Sequence, residues 1–366
     1  MRMKTWVLRY KKLHLWLLAD LLLLGLFWLL RGQRPLMNAV TSQVTGPLRQ
    51  ALGRLSYRTE VSVMEVLDVL AILAVFVWLV WTIRTAVRTA GRREKARRVY
   101  GSVLGLTCGV LSVWALFCFL WGMNHWADGF QEKSGIYAQP VAREDLLAVT
   151  EYFAAQAART ADGVARDETG LFVVSREAIL ADSVHVYDGI TETFPFLAFD
   201  DPGVKAMRFS RIMSALDFTG VYCAYTGESN VNVDSPACML PATIAHELAH
   251  QRGFASEQEC NFLSILAATA SGDPVYEYSG WLLGYVYLGN ALYPVDPEAY
   301  QAVRESLPEP VRRDLADNNA YWAQFRDTPA QRASSKIYDG ILKGFGDERG
   351  IQSYGTVVDL LVAYYA

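Results

Sequence analysis

The sequence predicts a mainly α protein: three N-terminal membrane-spanning helices, then a helix-rich second part with a small β element. Three observations carry this. Apolar runs of membrane-crossing length, separated by basic residues, all lie before residue 124. After it the chain is a mixed sequence with helical periodicity, in which apolar residues recur every three to four positions. One stretch, 217–240, instead reads as short strands around a turn.

The first run, 13–30, holds a single acidic residue, Asp20, and follows a start carrying Arg2, Lys4, Arg9, Lys11 and Lys12. A signal peptide shares that pattern, but no small-residue cleavage site follows, so the run reads as an anchor. The second run, 63–83, has Glu65 and Asp68 near one end and Trp78 and Trp81 near the other, as befits a helix ending among lipid headgroups. The third, 101–123, has 23 residues and no charge. Each is close to the ~20 residues that cross a bilayer. The N-terminus and the arginine-rich 84–99 connector share one side, which the positive-inside rule makes the cytoplasm. The 31–62 segment, less densely charged and amphipathic over 44–55, then lies on the outer surface, and everything after Met123 is extracytoplasmic. The domain boundaries are accordingly 1–124, membrane, and 125–366, extracytoplasmic. Asp20, Glu65 and Asp68 are read as placed near interfaces or toward neighbouring helices, with a proton relay as the sharper reading.

In the second part, helical patterning covers 142–161, 175–192, 205–216 and, later, 278–293, 296–305, 309–325, 331–344 and 354–366. Leu171 to Val174 is β-prone, and strands are expected at 221–225 and 231–233. A disulfide between Cys223 and Cys238 is open if that part lies outside the cell, with the sequence deciding neither way, whereas Cys108 and Cys118 sit in an apolar run as small hydrophobes. His125 reads as interfacial and His185 as structural.

The chemistry concentrates at 245–261. The chain has five histidines, and two of them, His246 and His250, stand four apart with Glu247 directly after the first. On a helix, i and i+4 share a face, so both imidazoles can bind one ion, while Glu247 can reach a water that the ion activates. Pro241 and Thr243 begin the helix, and Gly253 suits its C-terminal cap. Ser256 and Glu259 then have capping-box spacing, which starts a second helix and puts Glu257 in its first turn, just after a reversal. Glu257 is thereby favoured as third ligand over Glu259, which the box engages, and Asn261, four residues on, can orient a ligand. Ser256 stands where the HExxHxxGxxH pattern needs histidine, which excludes that class in its simple form.

HExxH followed by a helix reading Glu-x-Glu-small-Asn resembles the gluzincin-type metallopeptidases. The resemblance implies a zincin-like domain in which Glu257 is the third zinc ligand and Asn261 hydrogen-bonds a ligand from behind and fixes its orientation. The chain is also similar, over most of its length, to an uncharacterised bacterial membrane protein family filed as a domain of unknown function. The residues carrying that likeness are Trp-Gly-x-Asn at 121–124, the run from Pro241 to Glu257, Tyr-Ser-Gly-Trp at 278–281 and Ser-Tyr-Gly-x-Val-Val-Asp-Leu-Leu at 353–361. Cys260 stands where that family usually has alanine.

The expected function is a membrane-anchored zinc metallopeptidase. His246, His250 and Glu257 hold Zn2+ with one position open, and Glu247 is general base and then acid. Tyr278 and Tyr354 are candidate donors to a developing oxyanion. The 217–240 strands are a candidate edge for an extended peptide, with a purely structural hairpin as the alternative. A zinc-containing membrane sensor without turnover is the rival function. The expected partners are the lipid bilayer and a protein or peptide substrate. A net charge of −4, a pI near 5.8 and the lack of a Gly-rich phosphate loop argue against nucleic acid and nucleotides.

Overall fold

The computed structural model describes residues 2–200, 202–345 and 354–366. It is mainly helical and divides into two compact units, 1–49 with 63–127, and 50–62 with 128–366.

In the first unit, Lys11–Leu30, Val63–Arg88 and Arg92–Leu120 are long and apolar enough to cross a membrane. Apolar helices therefore stand at all three expected positions, but two of them overrun the expected limits. Most of the basic connector is helical, broken only around Gly91, because arginine and lysine are good helix formers and nothing before Thr89 interrupts the pattern. Asp20 is buried and accepts from Ser112 Oγ at 3.0 Å, while Trp16 Nε1 donates to the same hydroxyl at 2.8 Å. It thus faces a neighbouring helix, and no charged partner reaches it among the described contacts. Arg49 Nη1 donates to Leu120 O at 3.0 Å, satisfying one of the carbonyls left over at that helix end.

The second unit is built around Arg143–Thr160, Leu240–Gln251, Glu257–Thr269, Pro274–Val295 and Tyr354–Tyr365. Phe153, Trp281 and Tyr365 form an aromatic cluster, with centroids 4.9 Å apart for Phe153–Trp281 and 5.0 Å for Phe153–Tyr365. The expected 278–293 helix is Pro274–Val295, a core helix in which Tyr276, Tyr278, Trp281, Leu282, Leu288 and Leu292 are buried. A three-stranded sheet, β1 (Lys205–Ala206), β2 (Gly220–Cys223) and β3 (Glu228–Val231), has the order β1-β3-β2. β1 runs parallel to β3, and β2 is antiparallel to it with Gly220 opposite Val231 and Cys223 opposite Glu228.

Several expectations shift. Residues 175–192 form one short α-helix, Arg176–Ala181, followed by the 3-10 turns Asp182–His185 and Asp188–Ile190. Lys205 and Ala206 are strand, and the expected 205–216 helix is Ser210–Ala215. The hairpin strands lie one to three residues earlier than expected, since the turn uses Ala224–Gly227 with Gly227 at φ 68°. The β-prone 171–174 stretch contributes only a single bridge, Phe172 to Arg166. Cys223 and Cys238 are not joined, and all five cysteines are free.

Residues 50–62, expected as part of a surface-lying segment, pack within the second unit. Tyr57 Oη donates to Gly203 O at 2.8 Å and accepts from Ser229 N at 3.1 Å. Lys205 Nζ, buried, donates to Ser56 O and Val61 O at 2.9 Å each and pairs with buried Glu228. An ammonium out of water must find such acceptors, and the 50–62 carbonyls supply two of them.

Candidate metal centre

The helix Leu240–Gln251 begins with Pro241 at its first turn, where a missing N–H costs nothing. Ser279 Oγ accepts from Ala242 N at 3.1 Å, tying that end to the core. At the other end Gly253 takes φ 97°, a left-handed conformation. Gly253 N donates to His250 O at 2.8 Å and Phe254 N to Ala249 O at 3.3 Å, which together make the Schellman closure that Gly253 permits. The same reversal presents Phe254 O to His250 Nδ1 at 2.8 Å, so the cap also orients a histidine.

The next helix, Glu257–Thr269, is capped by Ser256, whose hydroxyl faces Glu259 N at 3.5 Å. Glu257 in its first turn comes back over the two histidines. Its Oε2 is 3.2 Å from His246 Nε2, its Oε1 is 3.5 Å from His250 Nε2, and the two Nε2 atoms are 3.1 Å apart. Asn261 Oδ1 lies 2.9 Å from His246 Nδ1 and fixes that ring from behind. Each imidazole thus has Nδ1 held by an acceptor and Nε2 turned to a common point.

Those spacings suit a zinc ion. Bonds of about 2.0–2.1 Å in a tetrahedron put ligand atoms roughly 3.3 Å apart. One ligand atom from each of His246, His250 and Glu257 lies within 4.8 Å of the others. Two nitrogens and a carboxylate oxygen are a zinc donor set that leaves a fourth position open. The side chains of His246 and Glu257 retain 15% and 22% of their exposure, so the cluster is reachable from one side.

Glu247 is 3% exposed, and among the described residues its Oε2 has no hydrogen-bond partner. Burial pushes its carboxyl up from 4.5 to about 7, although His246 and His250 pull the other way. A polar oxygen buried without a partner beside a possible metal site is one that a water or substrate group would satisfy. Gly220, the first residue of edge strand β2, passes directly over this carboxylate: a Cβ there would lie 2.4 Å from Oε1. Ser229 Oγ, from β3, donates to Glu247 O at 3.0 Å and fastens the helix to the sheet.

Glu257 and His250 form a coupled pair. Burial opposes charge on both. It is outweighed at Glu257 by His250 and by hydrogen bonds to both imidazoles, which hold its carboxyl well below the ordinary range. At His250 burial is opposed by the charge of Glu257 and its hydrogen bond, which hold the imidazole above its ordinary value. Metal-free, the pair therefore carries a proton that an arriving cation must displace. Cys260 Sγ packs 3.3 Å from His250 Nδ1, and burial pushes its thiol up to about 11.

The rival ligand Glu259 is engaged elsewhere, though not by the expected reciprocal box. Its carboxylate accepts from Phe130 N at 2.8 Å and Gln131 N at 3.2 Å, at the start of the helix Phe130–Ser134. Tyr278 is also elsewhere: it is buried, bonded to Asp314 and stacked on Phe172. The side chain of Tyr354 lies outside the described residues. His185 is exposed and pairs with Asp188 at 3.0 Å, and His125 lies in the 3-10 turn Gly122–Trp126 of the first unit.

The tyrosine at the cluster is Tyr338, on Pro329–Gly344, whose hydroxyl donates to Glu257 Oε1. Its ring meets Phe218 edge-on at 5.5 Å, and Gln331 Nε2 on the same helix donates to Asp217 Oδ2 at 3.1 Å. Burial is the main cause that raises its phenol well above the ordinary value, so the hydroxyl keeps its proton. Nothing in the local sequence marks Tyr338. It follows Glu257 by 81 positions, and its neighbours Ile337 and Asp339 carry no motif.

No curated protein and no solved structure matches the chain. A family model described as "Protein of unknown function (DUF3810)" matches residues 42–362, well over half of the sequence, and the chain belongs to that family.

Proposed function

We propose that this protein is a membrane-anchored, zinc-dependent metallopeptidase whose site lies outside the cytoplasm. The observation that supports it best is the pairing of a three-ligand cluster with a buried carboxylate that takes no part in it. A purely structural zinc site needs four protein ligands and no base. Here three groups converge, and Glu247 stands next to them with one oxygen unsatisfied.

In this reading His246, His250 and Glu257 hold the ion, and Asn261 and Phe254 O keep the two rings aimed. A bound zinc ion supplies Lewis acidity and lowers the pKa of a water toward ~7. Glu247, the buried carboxylate beside the cluster, would be the group to take a proton from such a water and later deliver it to the leaving amine. β2 is an end strand of the three-stranded sheet, the position at which an extended peptide adds as a further strand. Gly220 sets that edge directly against the base, which favours peptide hydrolysis over a site that only binds zinc. Membrane anchoring rests on the three apolar helices, and the orientation rests on the arginine-rich 84–99 connector.

The test uses full-length protein in detergent: zinc content and cleavage of a quenched peptide library, for wild type and Glu247→Gln. Zinc near one per chain in both, with cleavage only in wild type, is the expected result. Zinc in both without cleavage in either, while Glu247→Gln still complements a deletion strain, would establish the sensor instead.

A further inference from the structure

Both oxygens of Glu257 face the histidine pair, Oε2 at 3.2 Å from His246 Nε2 and Oε1 at 3.5 Å from His250 Nε2. Left to itself, such a carboxylate can close on an ion with both oxygens, and the second contact would take the position that a water or substrate carbonyl needs. Tyr338 stands against that outcome. Its hydroxyl donates to Oε1, and the helix carrying it is braced at two points, Phe218 and Asp217, on the segment that leads into β2.

We propose that Tyr338 is a positioning residue that keeps Glu257 a one-oxygen ligand, holding Oε1 by a hydrogen bond so that Oε2 alone meets the metal. The inference rests on the zinc-site reading above and assigns Tyr338 the task of keeping the centre open. It acts through Glu257 and needs no contact with substrate. The helix 329–344 thereby sets the coordination number of a centre whose ligands all lie on two other helices. The bracing at 217–218 links it to the same strand that crosses over Glu247.

Cobalt(II) loaded into full-length protein reads this directly, because four-coordinate cobalt absorbs several times more strongly in the visible than five- or six-coordinate cobalt. Tyr338→Phe frees Oε1. It is expected to retain cobalt at one per chain, to lose at least half of the visible band intensity, and to lower kcat by about 10–100-fold with little change in KM. Bands identical to wild type would overturn the proposal. So would a folded Tyr338→Phe protein that no longer holds cobalt, which would make the phenol a prop for binding rather than a control of denticity. If Tyr338→Phe does not fold, Phe218→Ala loosens the same ring while leaving the phenol, and should weaken the bands less but in the same direction; unchanged bands there would also overturn it. A wild type without cobalt uptake, or a His246→Ala variant that takes it up equally well, would defeat the metal centre itself and not the role of Tyr338 within it.

Discussion

Replacing Glu247 by glutamine should stabilise the metal-free protein, and only above a certain pH. The carboxyl is buried, one oxygen lacks a partner, and its value is raised from 4.5 to about 7. That rise corresponds to roughly 3 kcal/mol of preference for the neutral form in the folded state. The sign follows from linkage. Below pH 4.5 the group is protonated both folded and unfolded, and ionisation costs nothing. Between 4.5 and about 7 the unfolded chain releases its proton first, so stability falls as pH rises. Above 7 the penalty is fully present. Glutamine has the same shape and never ionises. The difference between Glu247→Gln and wild type should therefore be near zero at pH 4.5 and approach ~3 kcal/mol at pH 8, or about 6–12 °C in melting temperature for a unit of this size. The assay is thermal melting by tryptophan fluorescence in detergent with a chelator, from pH 4.5 to 8.5. Saturating zinc should shrink the gap at pH 8, since a nearby cation favours the anion. A gap of equal size at pH 4.5 and 8, or glutamine less stable at pH 8, would refute the reasoning.

Glu259→Ala should leave metal stoichiometry unchanged yet cost about 2–4 kcal/mol, because Phe130 N and Gln131 N lose a charged acceptor; loss of zinc with an unchanged melting curve would reverse the ligand assignment. Gly220→Ala should keep zinc but lower turnover by about 100-fold, since the new methyl would lie 2.4 Å from Glu247 Oε1 and must move the base or the strand; metal analysis beside steady-state rates reads both. A fragment of residues 128–366 should melt at least about 6 °C below the full chain, because Lys205 loses the carbonyls of Ser56 and Val61. Equal melting of the two proteins would show that the 50–62 segment contributes nothing to the second unit.

What local rules govern is legible in the residues alone. Apolar length marks the three long helices. The i, i+4 spacing puts His246 and His250 on one face. Gly253 and Ser256 end one helix and start the next, and that single reversal is short enough to bring Glu257 back over the pair. These are interactions within about twenty residues, where spacing alone dictates geometry. What lies across the fold was decided by tertiary packing. Glu259 looked engaged by its own helix start, yet its carboxylate serves the N–H groups of Phe130 and Gln131, about 130 positions away. Tyr278 and Tyr338 are both aromatic residues in helical stretches, but one is buried against Asp314 and the other reaches Glu257. The residues 50–62 answer a buried lysine at 205. In each case a buried polar group must find a partner, and the sequence states the need without stating who meets it, because that depends on which helices and strands the core brings together.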